Sequence, residues 1–194
     1  MKSLVITAPH PTLRKVSLPI TKVDQKLKKN IQLLIQALKQ EIDPPGVGMA
    51  FSQINKSISG FAIRPTATRT LPAKADAEIK VLLNPVIKAH SKTRELGEDQ
   101  SEPDYEGCLS VPLIYGPVPR WSWLELEFQT IKNDQLITQT SRFTGYSARI
   151  VQHEMDHLNG ILFTDHLLKL NLPAYVKKGY DFVEIEDRKI LQVF

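Results

Sequence analysis

The chain has 194 residues, 42% of them hydrophobic and 24% charged, and its 25 Lys and Arg against 21 Asp and Glu leave a net charge of +4. That length supports an ordinary domain with its own core, and the composition excludes a disordered tail, a fibrous repeat and an obligate nucleic-acid partner. The only cysteine is Cys108, so no intrachain disulfide can form and a disulfide-framed secreted module is excluded.

The apolar residues ahead of Pro9 are too few for a secretory signal, and no run approaches the roughly 18 apolar residues of a membrane span. A soluble protein without a membrane partner is expected, cytoplasmic, or of an organelle matrix if a transit peptide is missing from this chain. Asp24 is a candidate N-cap for an amphipathic helix, with Leu27, Ile31, Leu34, Ile35, Leu38 and Ile42 at spacings of three and four, ended by Pro44-Pro45-Gly46. Strands are expected over 58–63 and from Ile79 to Asn84-Pro85. Two more are expected over 124–128, with strict alternation, and 135–143, rich in β-branched residues. Segments 88–105 and 111–120, the latter with three prolines, read as loops. A second helix opens near Thr144-Gly145 and carries the apolar stripe Val151, Met155, Leu158 and Leu162. Past Pro173 the pattern predicts a short helical turn, then strands at 182–185 and 190–194. There is no internal repeat or linker, so an α+β fold in a single domain over 1–194 is expected, with antiparallel or mixed sheets.

His153-Glu154-Met155-Asp156-His157 places two imidazoles one helical turn apart, about 6 Å along the axis, where both can reach one cation. Glu154, about 100° around the helix from His153, can reach an attacking water without being a ligand. A catalytic metal usually takes a third protein donor. His166 is one possibility, although the glycine-turn pattern that delivers a third histidine in that class is not matched over 159–163. Cys108, inside Glu106-Gly107-Cys108-Leu109-Ser110, is the other. The segment Gly46-Val47-Gly48-Met49-Ala50-Phe51-Ser52-Gln53 lets backbone approach a ligand closely, and Gln53 can donate an amide hydrogen to an oxyanion. It lacks the Gly-Lys-Ser/Thr ending of a phosphate loop.

Taken in order, Gly-x-Gly-x-Ala-x-x-Gln at 46–53, Glu-Gly-Cys-Leu-Ser at 106–110 and Gln-His-Glu-x-Asp-His at 152–157 resemble the three motifs of the peptide deformylase family. Pro11-Thr12-Leu13-Arg14, Asn84-Pro85, Val111-Pro112 and the run from Leu158 to Phe163 are similar to the family as well. The resemblance implies sheets packed around a central helix that carries the two histidines. It implies Cys108, His153 and His157 as ligands of one divalent metal, Fe(II) natively and replaceable by zinc, nickel or cobalt. It further implies Glu154 as general base, and the Leu109 N–H and Gln53 side chain as oxyanion donors. Gly48 would pair with the substrate backbone, and Val47 and Ile150 would line the methionine pocket. The implied reaction removes the formyl group from N-formylmethionyl nascent peptides and releases formate, in a monomer that reads no nucleic-acid sequence. Lys26, Lys28, Lys29 and Lys39 read most simply as the solvated face of the first helix, with a ribosome-facing basic surface as the alternative that work on nascent chains suggests. Phe51 is large where the family carries a small residue, and Arg142-Phe143 stands where an acidic and a small residue are usual. The first departure predicts altered packing behind the substrate strand, which would suit an altered acyl substrate. A metal-binding paralogue without catalysis is the other alternative, against which Glu154 argues.

Overall fold

The computed structural model describes residues 3–41, 45–65, 77–98, 102–179 and 181–194. A 3-10 turn at Pro11–Arg14 precedes helix α1 (Gln25–Gln40), whose N-cap Asp24 accepts from Leu27 N at 2.8 Å. Ile42 and Pro44, expected at the end of this helix, lie outside the described residues. Strand β1 (Gly48–Ala50), a 3-10 turn at Phe51–Ile54, β2 (Gly60–Ile63) and β3 (Lys80–His90) follow. Next come β4 (Arg94–Glu95), β5 (Tyr105–Cys108), β6 (Val111–Pro117), β7 (Arg120–Trp121), β8 (Trp123–Lys132) and β9 (Gln135–Thr144). Helix α2 (Gly145–Leu158) and helix α3 (Phe163–Lys169) lead into β10 (Tyr175–Lys178), β11 (Asp181–Glu184) and a 3-10 turn at Arg188–Val193. The strands form a five-stranded sheet in the order β1-β2-β3-β8-β9, a four-stranded sheet in the order β11-β10-β6-β5, and the pair β4-β7.

Three buried clusters tie the α+β architecture together. Ala148, Ile150, Val151 and Leu158 of α2 pack on Ala50, Phe61, Ile63, Leu124, Leu126 and Phe128 from one face of the five-stranded sheet. Met49 and Ala62, the alternate residues of β1 and β2, face the other way onto Leu34, Ala37 and Leu38 of α1. The third cluster joins Val111 and Ile114 of β6 to Phe163 and Leu167 of α3. Helix α2 is thereby central, as expected. Its N-terminus is capped from outside the helix: the Glu98 carboxylate accepts from Tyr146 N at 2.6 Å, a negative charge at the positive end of the helix dipole.

Several expectations fail for identifiable reasons. Strand β3 does not stop at Asn84-Pro85 but passes through a bulge there. Asn84 has φ 47°, and its side chain bonds Ile20 N and O and donates to Gln129 Oε1 at 2.7 Å. Pro85 costs no ladder hydrogen bond at such an irregularity. Segment 111–120 is mostly strand β6 rather than loop, because Pro112 and Pro117 stand near its two ends and Pro119 beyond it. Helix α2 ends at Leu158, short of Leu162. Gly160 has φ 69°, and a Cβ there would meet the Arg14 backbone, so the chain turns under the N-terminal segment. After Pro173 the chain forms β10, not a helical turn, and the run from Ile190 is helical, not extended. Short apolar runs carry no period long enough to distinguish these states.

His10 is half-buried in the loop before the first 3-10 turn, and His90 is an exposed residue at the end of β3. His10 accepts from Thr12 N at 3.2 Å, and His90, in β3, stacks on Trp121 with ring centroids 3.8 Å apart. Arg142 lies over the Trp123 ring at 3.9 Å, which gives that residue a packing role. Lys28, one of the four helix lysines, pairs with Asp134 at 2.6 Å. Phe51 is fully buried against α1, and a Cβ on Gly60 would come within 3.1 Å of its ring and 3.0 Å of Leu82 O. Gly60 thus makes room for the large side chain. Gly60→Ala should destabilise the fold by about 1–3 kcal/mol, read from the denaturant midpoint. Part of that cost should vanish in a Phe51→Ala background, because the two positions share one space.

Candidate metal centre

Helix α2 presents His153 and His157 on one side, with ring centroids 5.1 Å apart. Strand β5 brings Cys108 to them from the other sheet. The thiol sulfur lies 3.3 Å from His157 Nε2, and one donor atom from each of Cys108, His153 and His157 lies within 4.8 Å of the others. His166, the alternative donor, is elsewhere: its Nε2 contacts Asp156 Oδ2 at 2.8 Å.

What orients His153 is a carboxylate that sequence reasoning quoted within a motif but gave no role. Glu106, two residues before Cys108 and therefore on the same face of β5, meets His153 Nδ1 at 3.0 Å. It also accepts from Arg120 Nε at 2.8 Å and Nη2 at 2.9 Å, and from Arg149 Nη1 at 3.0 Å. Arg120 extends the network to Asp156 at 2.6 Å. Burial raises the Glu106 carboxyl, but the Arg120 charge and hydrogen bonds, joined by His153, hold it well below the usual carboxylate range. With Nδ1 engaged by this anion, Nε2 of His153 is the nitrogen left for a metal.

The electrostatics suit a cation. Burial pushes the Cys108 thiol up, yet the His157 charge and hydrogen bonds from His153 and His157 outweigh it and bring the thiol down to about 5. Glu154, only 3% exposed, is pushed up to about 7, chiefly by burial, with the neighbouring imidazoles opposing and the Cys108 and Glu106 anions adding to the rise. Glu154 Oε2 and His157 Nδ1 are buried without a hydrogen-bond partner among the described residues. A thiolate, two imidazoles and an unpaired carboxylate oxygen beside them fit a catalytic divalent metal and its water.

The remaining expected residues gather around a cleft of about 550 Å³ lined by Val47, Gly48, Gln53, Cys108, Leu109, Ile150, His153 and Glu154. Gln53 Oε1 accepts from Ala50 N at 2.8 Å, which aims its amide nitrogen at Ser110 Oγ, 3.2 Å away, and Cys108 Sγ, 3.6 Å away. A Cβ at Gly48 would collide with Glu154 Oε1 and lie 2.9 Å from Ile150 Cγ2, so only glycine lets β1 pass this close. Arg64, another residue without a sequence signal, holds that strand from behind: its Nε donates to Gly46 O at 3.0 Å and its backbone N–H to Val47 O at 2.8 Å. Phe51 is not among the lining residues but packs behind β1 with Met49 and the residues of α1.

The polypeptide deformylase family model matches residues 2–172. The chain belongs to the polypeptide deformylase family. The peptide deformylase of Rhodopirellula baltica is 39% identical over 163 residues, covering 84% of this chain and 72% of that protein. That of Desulfotalea psychrophila is 36% identical over 175 residues, covering 90% and 92%. Among solved structures, the deformylase of Thermotoga maritima superposes with a TM-score of 0.66 at 30% identity, covering 84% of this chain and 95% of that one. A class I type b deformylase of Acinetobacter baumannii, bound to Met-Ala-Ser, gives 0.68 at 29% identity, covering 84% and 96%. Strands β10 and β11 lie beyond the residues that the deformylase family model matches.

Two measurements probe the centre. In metal-free protein the thiolate absorbance of Cys108 should persist at neutral pH and fall only as pH drops through about 5, whereas an ordinary thiol would already be protonated below 9.0. Glu106→Gln, which keeps the shape but weakens the hold on His153, should lower metal affinity about 10- to 100-fold in chelator competition.

Proposed function

We propose that the chain, as one catalytic domain over 1–194, hydrolyses the N-formyl group of N-formylmethionyl peptides and releases formate. The observation that carries this reading is Glu154, buried and unpaired on one oxygen beside a Cys-His-His donor set, in a cleft lined by residues of two edge strands. A divalent metal held by Cys108, His153 and His157 supplies, when bound, Lewis acidity and a water of lowered pKa. Fe(II) is the proposed native ion, with zinc, nickel or cobalt able to replace it, because a thiolate with two imidazoles accepts all four.

The protein's own groups do the rest. β1 is an edge of the five-stranded sheet and β5 an edge of the four-stranded sheet, and residues of both line the cleft. An extended peptide can therefore insert between them and take backbone hydrogen bonds from each side. Gly48 supplies such bonds on the β1 side. The methionine side chain enters between Val47 and Ile150. Glu154 accepts a proton from the attacking water, and a carboxyl poised near 7 is well matched to take it and return it to the departing amine. The water oxygen bonds to the formyl carbon, the C–N bond breaks, and formate and the free amine leave. Negative charge gathering on the formyl oxygen is met by the Gln53 amide and the Leu109 N–H. Ala50 N holds the Gln53 amide by its oxygen, and one hydrogen of the amide nitrogen turns from Ser110 Oγ or Cys108 Sγ to the formyl oxygen.

The setting proposed is a cytoplasmic monomer acting on nascent chains; no helix among the described residues is long and apolar enough to cross a membrane. The test is formate release from formyl-Met-Ala by anaerobically metal-loaded protein. Glu154→Gln should lower kcat by at least about 100-fold, the general-base contribution, while metal content stays at wild-type level. Wild-type turnover by that variant would remove Glu154 from the chemistry.

A further inference from the structure

Four aromatic rings stand together on the outer face of the four-stranded sheet, beside the cleft. Gly107 of β5 pairs with Tyr115 of β6, which pairs in turn with Tyr175 of β10, so all three share a face. Tyr105, two residues before Gly107, points the same way, and Phe182 of β11 is paired with Lys177 on that same face. The rings touch: Tyr105 and Tyr175 have centroids 5.1 Å apart, Tyr105 and Phe182 5.9 Å, Tyr115 and Phe182 5.1 Å. Tyr115 lies over Gly107 so closely that a Cβ there would be 2.5 Å from its ring. Tyr105 is 42% and Phe182 45% exposed, an unusual amount of aromatic surface to leave in water. Tyr105 and Tyr115 also line the cleft, so the patch is continuous with it.

The alternation of an extended chain says what would lie on this shelf. This step rests on the deformylase reading, in which the peptide runs beside the open edge of β5 and its methionine side chain points inward to Ile150. Successive side chains of an extended strand point to opposite faces. The inner face of β5 carries Glu106 and Cys108, and its outer face carries Tyr105 and Gly107. With methionine inward, the second residue of the peptide must point outward, beside Gly107 and onto the rings of Tyr115 and Tyr105. The third residue turns inward again.

We infer that the aromatic shelf of Tyr105, Tyr115, Tyr175 and Phe182 is a specificity site for the residue that follows methionine, favouring an aromatic or long apolar side chain there. Phe182 and Tyr175 come from the β10-β11 hairpin, beyond the residues matched by the family model, so the preference belongs to this chain's own C-terminal segment. Lys177 and Glu184 flank the rings with opposite charges, which leaves apolar contact as the discriminating interaction.

The experiment compares kcat/KM of the metal-loaded protein for formyl-Met-Phe-Ala, formyl-Met-Ala-Phe and formyl-Met-Ala-Ala. Wild type should prefer Phe at the second position about tenfold over Ala, through KM, as expected for contact made equally in ground and transition states. Phe at the third position should show no such gain. In Phe182→Ala and Tyr105→Ala the preference ratio should fall toward one, while Phe182→Leu retains most of it. Equal rates for all three peptides in wild type, or a ratio unchanged by both alanine variants, would overturn the shelf. Failure to release formate from any of the three would instead overturn the deformylase reading on which it stands.

Discussion

The buried carboxylate of Glu106 is the interaction on which the rest of the centre depends. A charge removed from water is tolerated only when it is paired and hydrogen-bonded, and here two guanidinium groups and an imidazole satisfy it. Those partners come from β7 and α2, whereas Glu106 itself belongs to β5. One side chain therefore locks the helix with the histidines to the strand with the cysteine. Because Cys108 is two residues further along that strand, the same lock that sets His153 also sets the distance of the thiol from it.

Burial acts on both reactive acids of the site in the same direction, yet they end apart. At Cys108 the charge and hydrogen bonds of His157 and His153 outweigh burial and bring the thiol down to about 5, while at Glu154 burial wins over the same imidazoles and lifts the carboxyl to about 7. Two groups in one cleft are thereby suited to the different duties proposed for them, one as ligand and the other as proton carrier. The backbone contributes as much as the side chains. Gly48 permits β1 to run against Glu154, Arg64 fixes that stretch from behind, and the open edges of two separate sheets face one another across the cleft. A peptide can be held there by its main chain, leaving its first side chains to be read separately.

Much of this was legible in the residues. The capped helix at Asp24, the alternating strand at 124–128 and the histidine helix all declare themselves by period, and the three motifs predicted a cluster that the fold does assemble. What failed to show was of two kinds. Prolines hid β6, and Asn84-Pro85 hid the continuation of β3, because a bulge or strand end tolerates proline where a strand centre does not. The partners of Glu106 were invisible for a different reason. Arg120 and Arg149 are 14 and 43 residues away in sequence, and only the packed fold brings them to it. Phe51 is large for its place in the motif, and Gly60 on β2 yields the space for its ring, a compensation no local pattern displays.

The central claim is that Cys108, His153 and His157 hold one metal that Glu154 works beside. Titrating Fe(II) anaerobically into metal-stripped protein, with formate release from a formyl-Met dipeptide as the signal, tests it most directly. Activity should rise linearly and saturate at one equivalent per chain. Full turnover without metal, or saturation unrelated to that stoichiometry, would contradict it.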